Sequence, residues 1–232
     1  MREIALDTET TGLDPMSGHR IIEIGAVEMM DKIRTGRSFQ CYLNPEREVP
    51  EEAFRVHGIS TAFLLDKPLF AQTVDGFLDF IGEAPLVIHN AAFDLKFINH
   101  ELDRVGFPGF TSKRAIDTVE LSRKKFPGAP ANLDALCRRF NIDLGARVKH
   151  GALLDAELLA DVYLELCGGR QAIIHFFDTG SPGQVLAAKR PLSIPPRVFA
   201  PSPEEVEAHG RFISTIKNAM WQTFSFNAAE AA

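Results

Sequence analysis

The apolar period changes along this chain, and the order of those changes limits the folds open to it. Arg2 to Asp7 is a short apolar strand that ends in an acid. Ile21 to Met30 and Ser38 to Leu43 read as two more strands, joined by a polar turn around Asp31-Lys32. From Leu69 to Gly82 the spacing lengthens, with Phe70, Val74, Phe77, Leu78 and Ile81 at helical intervals. Leu86-Val87-Ile88 is a short buried strand, and the helix after it carries Phe93, Phe97, Ile98, Leu102 and Val105 on one face. Ala115-Ile116-Asp117 reads as a fifth strand, and helices are expected over 118–126, 132–140 and about 151–166. Three hairpin-linked strands followed by strands alternating with helices predict an α/β sheet of mixed direction.

Composition divides the chain. Residues 178–203 hold six of its fourteen prolines without sustained periodicity, as an extended linker does. A domain boundary is therefore expected after Gly168-Gly169. The first 166 residues carry 19 basic and 26 acidic side chains, a net of −7, and the rest carry 6 and 5. A protein that grips duplex DNA by charge alone would be basic, so any nucleic acid must be held locally, with metal ions or partners. No apolar run reaches the roughly 18 residues of a bilayer span. Acids follow Met1 too soon for a signal peptide. With no apolar span, no membrane partner is expected, and Cys41, Cys137 and Cys167 lie far apart, which argues against a disulfide framework and for a reducing cytoplasm.

Three separated segments each place acids at the end or start of an element. Asp7-Thr8-Glu9 follows the first strand, and its two acids project from the same side of an extended chain. Carboxylates aimed together are costly to ionise unless a cation lies between them, and hard oxygen ligands suit Mg²⁺ or Mn²⁺. In His89-Asn90-Ala91-Ala92-Phe93-Asp94, Asn90 is placed to cap a helix whose first turn holds Asp94. In His150-Gly151-Ala152-Leu153-Leu154-Asp155, the helix is expected to begin near Gly151. On an ideal helix, five residues turn His150 and Asp155 about 140° apart, too far to share one metal as an i, i+4 pair. They can then serve one site only in different roles, Asp155 as ligand and His150 reaching over from before the helix. Open α/β sheets hold ligands at strand ends, and four inward acids there require about two divalent ions.

These residues resemble the DEDD superfamily of 3′→5′ exonucleases, in its subgroup with a catalytic histidine. The motifs D-x-E, N-x-x-x-D and H-x(4)-D appear in order as Asp7 to Glu9, Asn90 to Asp94 and His150 to Asp155. The runs Arg20 to Glu28, Val56-His57-Gly58-Ile59 and His150 to Ala156 are similar to the proofreading epsilon-subunit family of bacterial DNA polymerase III. The resemblance implies a ribonuclease H-like fold: a five-stranded mixed sheet flanked by helices, with a mostly extended C-terminal tail. It implies that Asp7 bridges two Mg²⁺ or Mn²⁺ ions, that Glu9 and Asp155 complete one site and that Asp94 holds the second ion. It further implies that His150 is the general base, and that Glu52 and His57 join Asp7, Glu9 and Asp155 in binding the terminal nucleotide.

The same resemblance divides the chain into an exonuclease domain (1–169), a clamp-binding motif (170–177), a linker (178–201) and a segment that binds the polymerase alpha subunit (202–232). In the motif, Gln171 would enter a polar slot of the beta sliding clamp while Ile174 and Phe176 fill an apolar pocket. Ser202-Pro203-Glu204-Glu205 reads as a helix start, with Val206, Ile213, Ile216 and Met220 recurring on one side. Two other readings stay open: an RNA-trimming exonuclease of the oligoribonuclease or ribonuclease T type, and an adaptor tethering polymerase to clamp without catalysis.

Overall fold

Strand β1 (Arg2–Thr10) is the middle of a five-stranded sheet, and its neighbours explain its sequence. The computed structural model of the 232-residue chain describes residues 1–145, 150–169 and 201–217. β2 (Ile21–Met30) and β3 (Ile33–Tyr42) complete an antiparallel meander with β1, while β4 (Leu86–Ile88) and β5 (Ala115–Asp117) add in parallel on its other side. The order is β3-β2-β1-β4-β5, the mixed sheet that the changing periods predict.

Helices α1 (Glu51–His57), α2 (Thr61–Leu64), α3 (Phe70–Ile81), α4 (Ala91–Arg104), α5 (Thr118–Lys125), α6 (Leu133–Phe140) and α7 (Ala152–Leu166) connect and cover the strands. β1 runs three residues beyond Asp7, because Thr8, Glu9 and Thr10 still pair with β2. β3 begins five residues before Ser38. The short helices α1 and α2 leave no mark on the periodicity, since neither is long enough to display an apolar period.

Alternation along β1 assigns its side chains to opposite faces. Ile4 and Leu6 join Ile24, Leu86 and Ile88 against α3 and α4, through Phe70, Val74, Phe77, Leu95, Phe97 and Leu102. Ala5 joins Val27, Met29 and Val87 against α6 and α7, through Leu133, Leu136, Leu159, Val162 and Tyr163. Phe77 and Phe97 are fully buried, and burying each contributes roughly 1.5–3 kcal/mol.

Two features of β2 set the ground for the site. The pairing Glu9↔Glu23 is followed by Thr10↔Ile21, so Ile22 is an extra residue in a bulge. Ile22 packs with Ile59 and Leu64, which anchors the α1–α2 segment beside the end of β1. Gly25, opposite Asp7, lies under the start of α7: a Cβ there would come within 2.2 Å of the Ala152 carbonyl carbon and 2.3 Å of Leu153 N.

The chain divides into two units, Met1–His175 and Phe176–Ala232. In the second, α8 (Pro203–Thr215) begins as its sequence predicts. The Ser202 hydroxyl accepts from Glu205 N at 3.2 Å, and Glu205 Oε2 accepts from Ser202 N at 2.8 Å. The helix ends at Thr215 with Ile216 extended, so Ile216 does not continue the apolar face. Gln171, Ile174 and Phe176, residues 178–200 and Met220 lie outside the described residues. No described helix is long and apolar enough to cross a membrane.

Gly25→Ala is expected to destabilise the protein by about 1–3 kcal/mol, because the clash is with backbone rather than a flexible side chain. Gly76→Ala, in α3 with nothing closer than Phe39 Cε2 at 4.0 Å, is expected to stabilise it by up to about 1 kcal/mol. Urea melts of the two variants check both signs.

Candidate active site

The alternation of β1 carries directly into the chemistry. Asp7 and Glu9 follow Ala5 on the α7 face, whereas Thr8 follows Ile4 and Leu6 on the α4 face. Acids arriving from the two helices therefore meet different parts of the strand.

On the α7 face, Glu9, His150 and Asp155 each offer a ligand atom, and these atoms lie within 4.8 Å of one another. His150 Nδ1 is 3.1 Å from Asp155 Oδ2. The separation of about 140° expected for this pair assumes an ideal helix running through both. It does not apply, because α7 starts at Ala152 and His150 precedes it in non-helical backbone. Its side chain folds back over the first turn onto Asp155. His150 is also tied by its backbone N–H to Val56 O of α1, at 3.4 Å. Asp155 is 3 % exposed and Glu9 9 %, while the His150 side chain is 47 % exposed. Asp7, His150 and Asp155 line one cavity of about 270 Å³, together with His89, Asn132 and Asp134.

On the α4 face, Asp94 is buried below the strand. Its Oδ1 accepts from Thr8 N at 3.1 Å and from the Thr8 hydroxyl at 2.7 Å. Burial pushes the Asp94 carboxyl up to about 7, outweighing the Thr8 hydrogen bonds that favour the charged form, and the negative charge of Asp117 adds to the rise. Asn90 does not cap α4 with its side chain as expected; it takes a left-handed conformation at φ 70°. Asp117 of β5 does the capping instead, accepting from Ala91 N at 3.0 Å and from Asn90 N at 3.3 Å.

The start of α7 follows the same plan. Gly151 provides no side-chain cap, and Glu23 Oε2 of β2 accepts from Ala152 N at 3.1 Å. Neither Glu23 nor Asp117 stood out in the sequence as a part of the site. Their partners lie 129 and 26 residues away, and only the sheet order brings them together.

Glu52 and His57 lie across a second cavity of about 580 Å³, which runs from Thr8 and Glu9 to α1 and includes Phe93. Glu52 is in the exposed first turn of α1. His57 is buried, and its Nδ1 accepts from Ile59 N at 3.0 Å, which leaves the ring proton of the neutral form on Nε2. The structure thus groups Glu9, His150 and Asp155 tightly, places Asp7 on the cavity of His150 and Asp155, sets Asp94 behind Thr8 and puts Glu52 and His57 with Glu9 on the neighbouring cavity.

The Exonuclease family model matches residues 4–163. DNA polymerase III subunit epsilon of Rickettsia felis is 50% identical over 222 residues, covering 93% of this chain and 97% of that protein. The Escherichia coli K12 protein of the same name is 50% identical over 179 residues, covering 74% of each. The chain belongs to the epsilon-subunit family of exonucleases. Among solved structures, Exonuclease X in complex with 5′ overhanging duplex DNA matches with a TM-score of 0.54 and 25% identity, over 71% of this chain and 89% of that one. That match agrees with the ribonuclease H-like sheet. An epsilon-family exonuclease is a 3′→5′ phosphodiester hydrolase that works with divalent metal ions, and the donors here fit such ions. They are hard carboxylate oxygens, drawn together at low exposure, where their mutual repulsion calls for a cation.

The raised Asp94 carboxyl has a consequence for stability. Between the unfolded value of 3.8 and about 7, the folded chain holds a proton that the unfolded chain has released. Stability contributed by that proton is present below pH 4 and lost as pH rises through 7. In chelator, the melting temperature should therefore fall between pH 5 and 8. Asp94→Asn should flatten that fall, and thermal melts across the range check it.

Proposed function

We propose that this chain is the proofreading 3′→5′ exodeoxyribonuclease of a replicative DNA polymerase, hydrolysing mispaired 3′-terminal nucleotides. The observation that carries the reading is the approach of Glu9, His150 and Asp155 to within 4.8 Å, with His150 and Asp155 on a cavity that Asp7 also lines. When bound by Asp7, Glu9, Asp94 and Asp155, two divalent cations, Mg²⁺ or Mn²⁺, would activate water and offset charge at the scissile phosphate.

The protein's own groups do the rest. His150 takes the proton of the attacking water, whose oxygen bonds to phosphorus as the P–O3′ bond breaks; the O3′ of the shortened strand leaves and takes up a proton from solvent, and a 5′-mononucleotide is released. The Nδ1 contact with Asp155 favours the tautomer with the lone pair on Nε2, which is the form that can accept a proton. Being half-exposed and outside the helix, His150 can adjust to a bound strand without disturbing α7. The larger cavity, with Glu52, His57 and Phe93, suits the terminal nucleotide: polar groups for the sugar edge and an aromatic face for the base.

Gln171, Ile174 and Phe176 would bind the beta clamp, and residues 202–232 the alpha subunit. Tethering to both raises the local concentration of a primer end that few basic side chains attract.

Asp7→Ala is expected to abolish metal-dependent degradation of a mispaired primer while leaving the melting curve unchanged. His150→Ala should slow turnover by about two to four orders of magnitude. The assay uses paired and mispaired DNA ends and a matching RNA, with and without Mg²⁺. Faster cleavage of RNA would move the reading to RNA trimming, and no cleavage at all would leave only the adaptor. Removing residues 178–232 should preserve hydrolysis and abolish co-purification with the alpha subunit; an undiminished complex would reject the tail assignment.

A further inference from the structure

We propose that Glu23 is a positioning residue for hydrolysis: from β2 it seats the first turn of α7 and so sets Asp155 and His150 against Glu9. The inference rests on the proposed roles of His150 and Asp155.

Glu23 is 1 % exposed and pairs directly opposite Glu9 across the β1–β2 ladder. Two carboxylates opposite one another on adjacent strands destabilise a sheet, and a buried carboxylate is costly unless its lone pairs are satisfied. Glu23 meets that demand with neutral donors. Oε1 accepts from Gln40 Nε2 of β3 at 2.8 Å, and Oε2 accepts from the Ala152 backbone N–H at 3.1 Å. Helices α5, α6 and α8 are capped by the side chains of their own N-cap residues, Asp117, Asn132 and Ser202. Helix α7 instead begins at a glycine with no side chain to offer, and its first turn is held from the sheet.

Gly25 makes the hold directional. With no Cβ at Gly25, the Ala152–Leu153 peptide rests on β2 itself, at a separation that any side chain there would close. Backbone contact at Gly25 fixes the height of the turn above the sheet, and the Glu23 bond fixes its rotation. Asp155 follows one turn later, with its N–H on Gly151 O at 2.9 Å and its Oδ2 beside His150 Nδ1. A single helical turn therefore links Glu23 to the groups that hold metal and move the proton. Displacements of about 1 Å at such groups can cost on the order of 10²-fold in rate.

Two variants separate reach from charge. Glu23→Asp keeps the charge but draws the acceptor back by one methylene. Glu23→Gln keeps the reach and an acceptor but loses the charge. For Glu23→Asp, kcat on a mispaired DNA end should fall about tenfold or more with KM within about twofold. Deuterium exchange at the Ala152 amide should quicken, and Mn²⁺ affinity by calorimetry should weaken. Glu23→Gln should stay within about threefold of the parent in kcat and keep the Ala152 amide protected. An Asp variant with parental kcat and Mn²⁺ affinity overturns the proposal, as does a Gln variant as slow as the Asp variant with Ala152 still protected. The Mn²⁺ and exchange measurements need no turnover. If the parent chain fails to cut DNA, the hydrolytic reading falls, while these two still decide whether Glu23 sets the donors.

Discussion

Strand β1 is packed on both faces, and that burial governs everything placed at its end. Ile4 and Leu6 must face α3 and α4, and Ala5 must face α6 and α7, or one of the two cores opens. A shift of one residue would exchange the faces of every side chain on the strand. The positions of Asp7, Glu9 and Thr8 are therefore inherited from apolar residues that take no part in the chemistry. The acid pair is committed to α7, and the threonine between them is committed to Asp94.

The two helices that bring the remaining acids share a mode of attachment. Each starts on the sheet without a side-chain cap of its own, at Asn90 and Gly151, and each has its leading N–H groups taken by a carboxylate of a neighbouring strand. A carboxylate at a helix N-terminus is favoured by the macrodipole as well as by the hydrogen bond. Placed on a rigid strand, it also fixes where the helix begins, and the acid one turn later inherits that position. The cost is extra negative charge around a site already crowded with it. Asp117 adds in this way to the rise that burial imposes on the Asp94 carboxyl, and Glu23 sits across the ladder from Glu9.

Much of this could be read in the sequence, because the cores are regular. Phe70, Val74, Phe77 and Ile81 announce α3, and Leu86 to Ile88 announce β4, since both are buried by period alone. The acid-bearing segments were legible as strand ends and helix starts. What stayed hidden depends on long-range contact. β1 continues through polar Thr8-Glu9-Thr10 only because β2 pairs with it, and Gly25 looks like any strand glycine until α7 lies on it. His150 and Asp155 meet because the chain is not yet helical at His150, and helix geometry applied two residues too early forbids that meeting. Helices α1 and α2 are not legible because seven and four residues are too few to show a period.

An acidic chain that works on a polyanion must find its selectivity outside long-range attraction. The donors Glu9, Asp94 and Asp155 are buried, at exposures of 9 %, 3 % and 3 %, so on the proposed reading a scissile phosphate reaches them only at the end of a strand that has left its partner. Unstacking and unpairing an end costs a few kcal/mol, and less when the end is already mispaired. Each 1.4 kcal/mol of that difference changes the population of reachable ends tenfold. Discrimination can then come from the DNA itself, with no side chain reading a base. A basic groove would blunt it by holding paired and unpaired ends alike. A net charge of −7 over the first 166 residues, offset only where divalent ions bind, keeps the grip short and the choice with the frayed end.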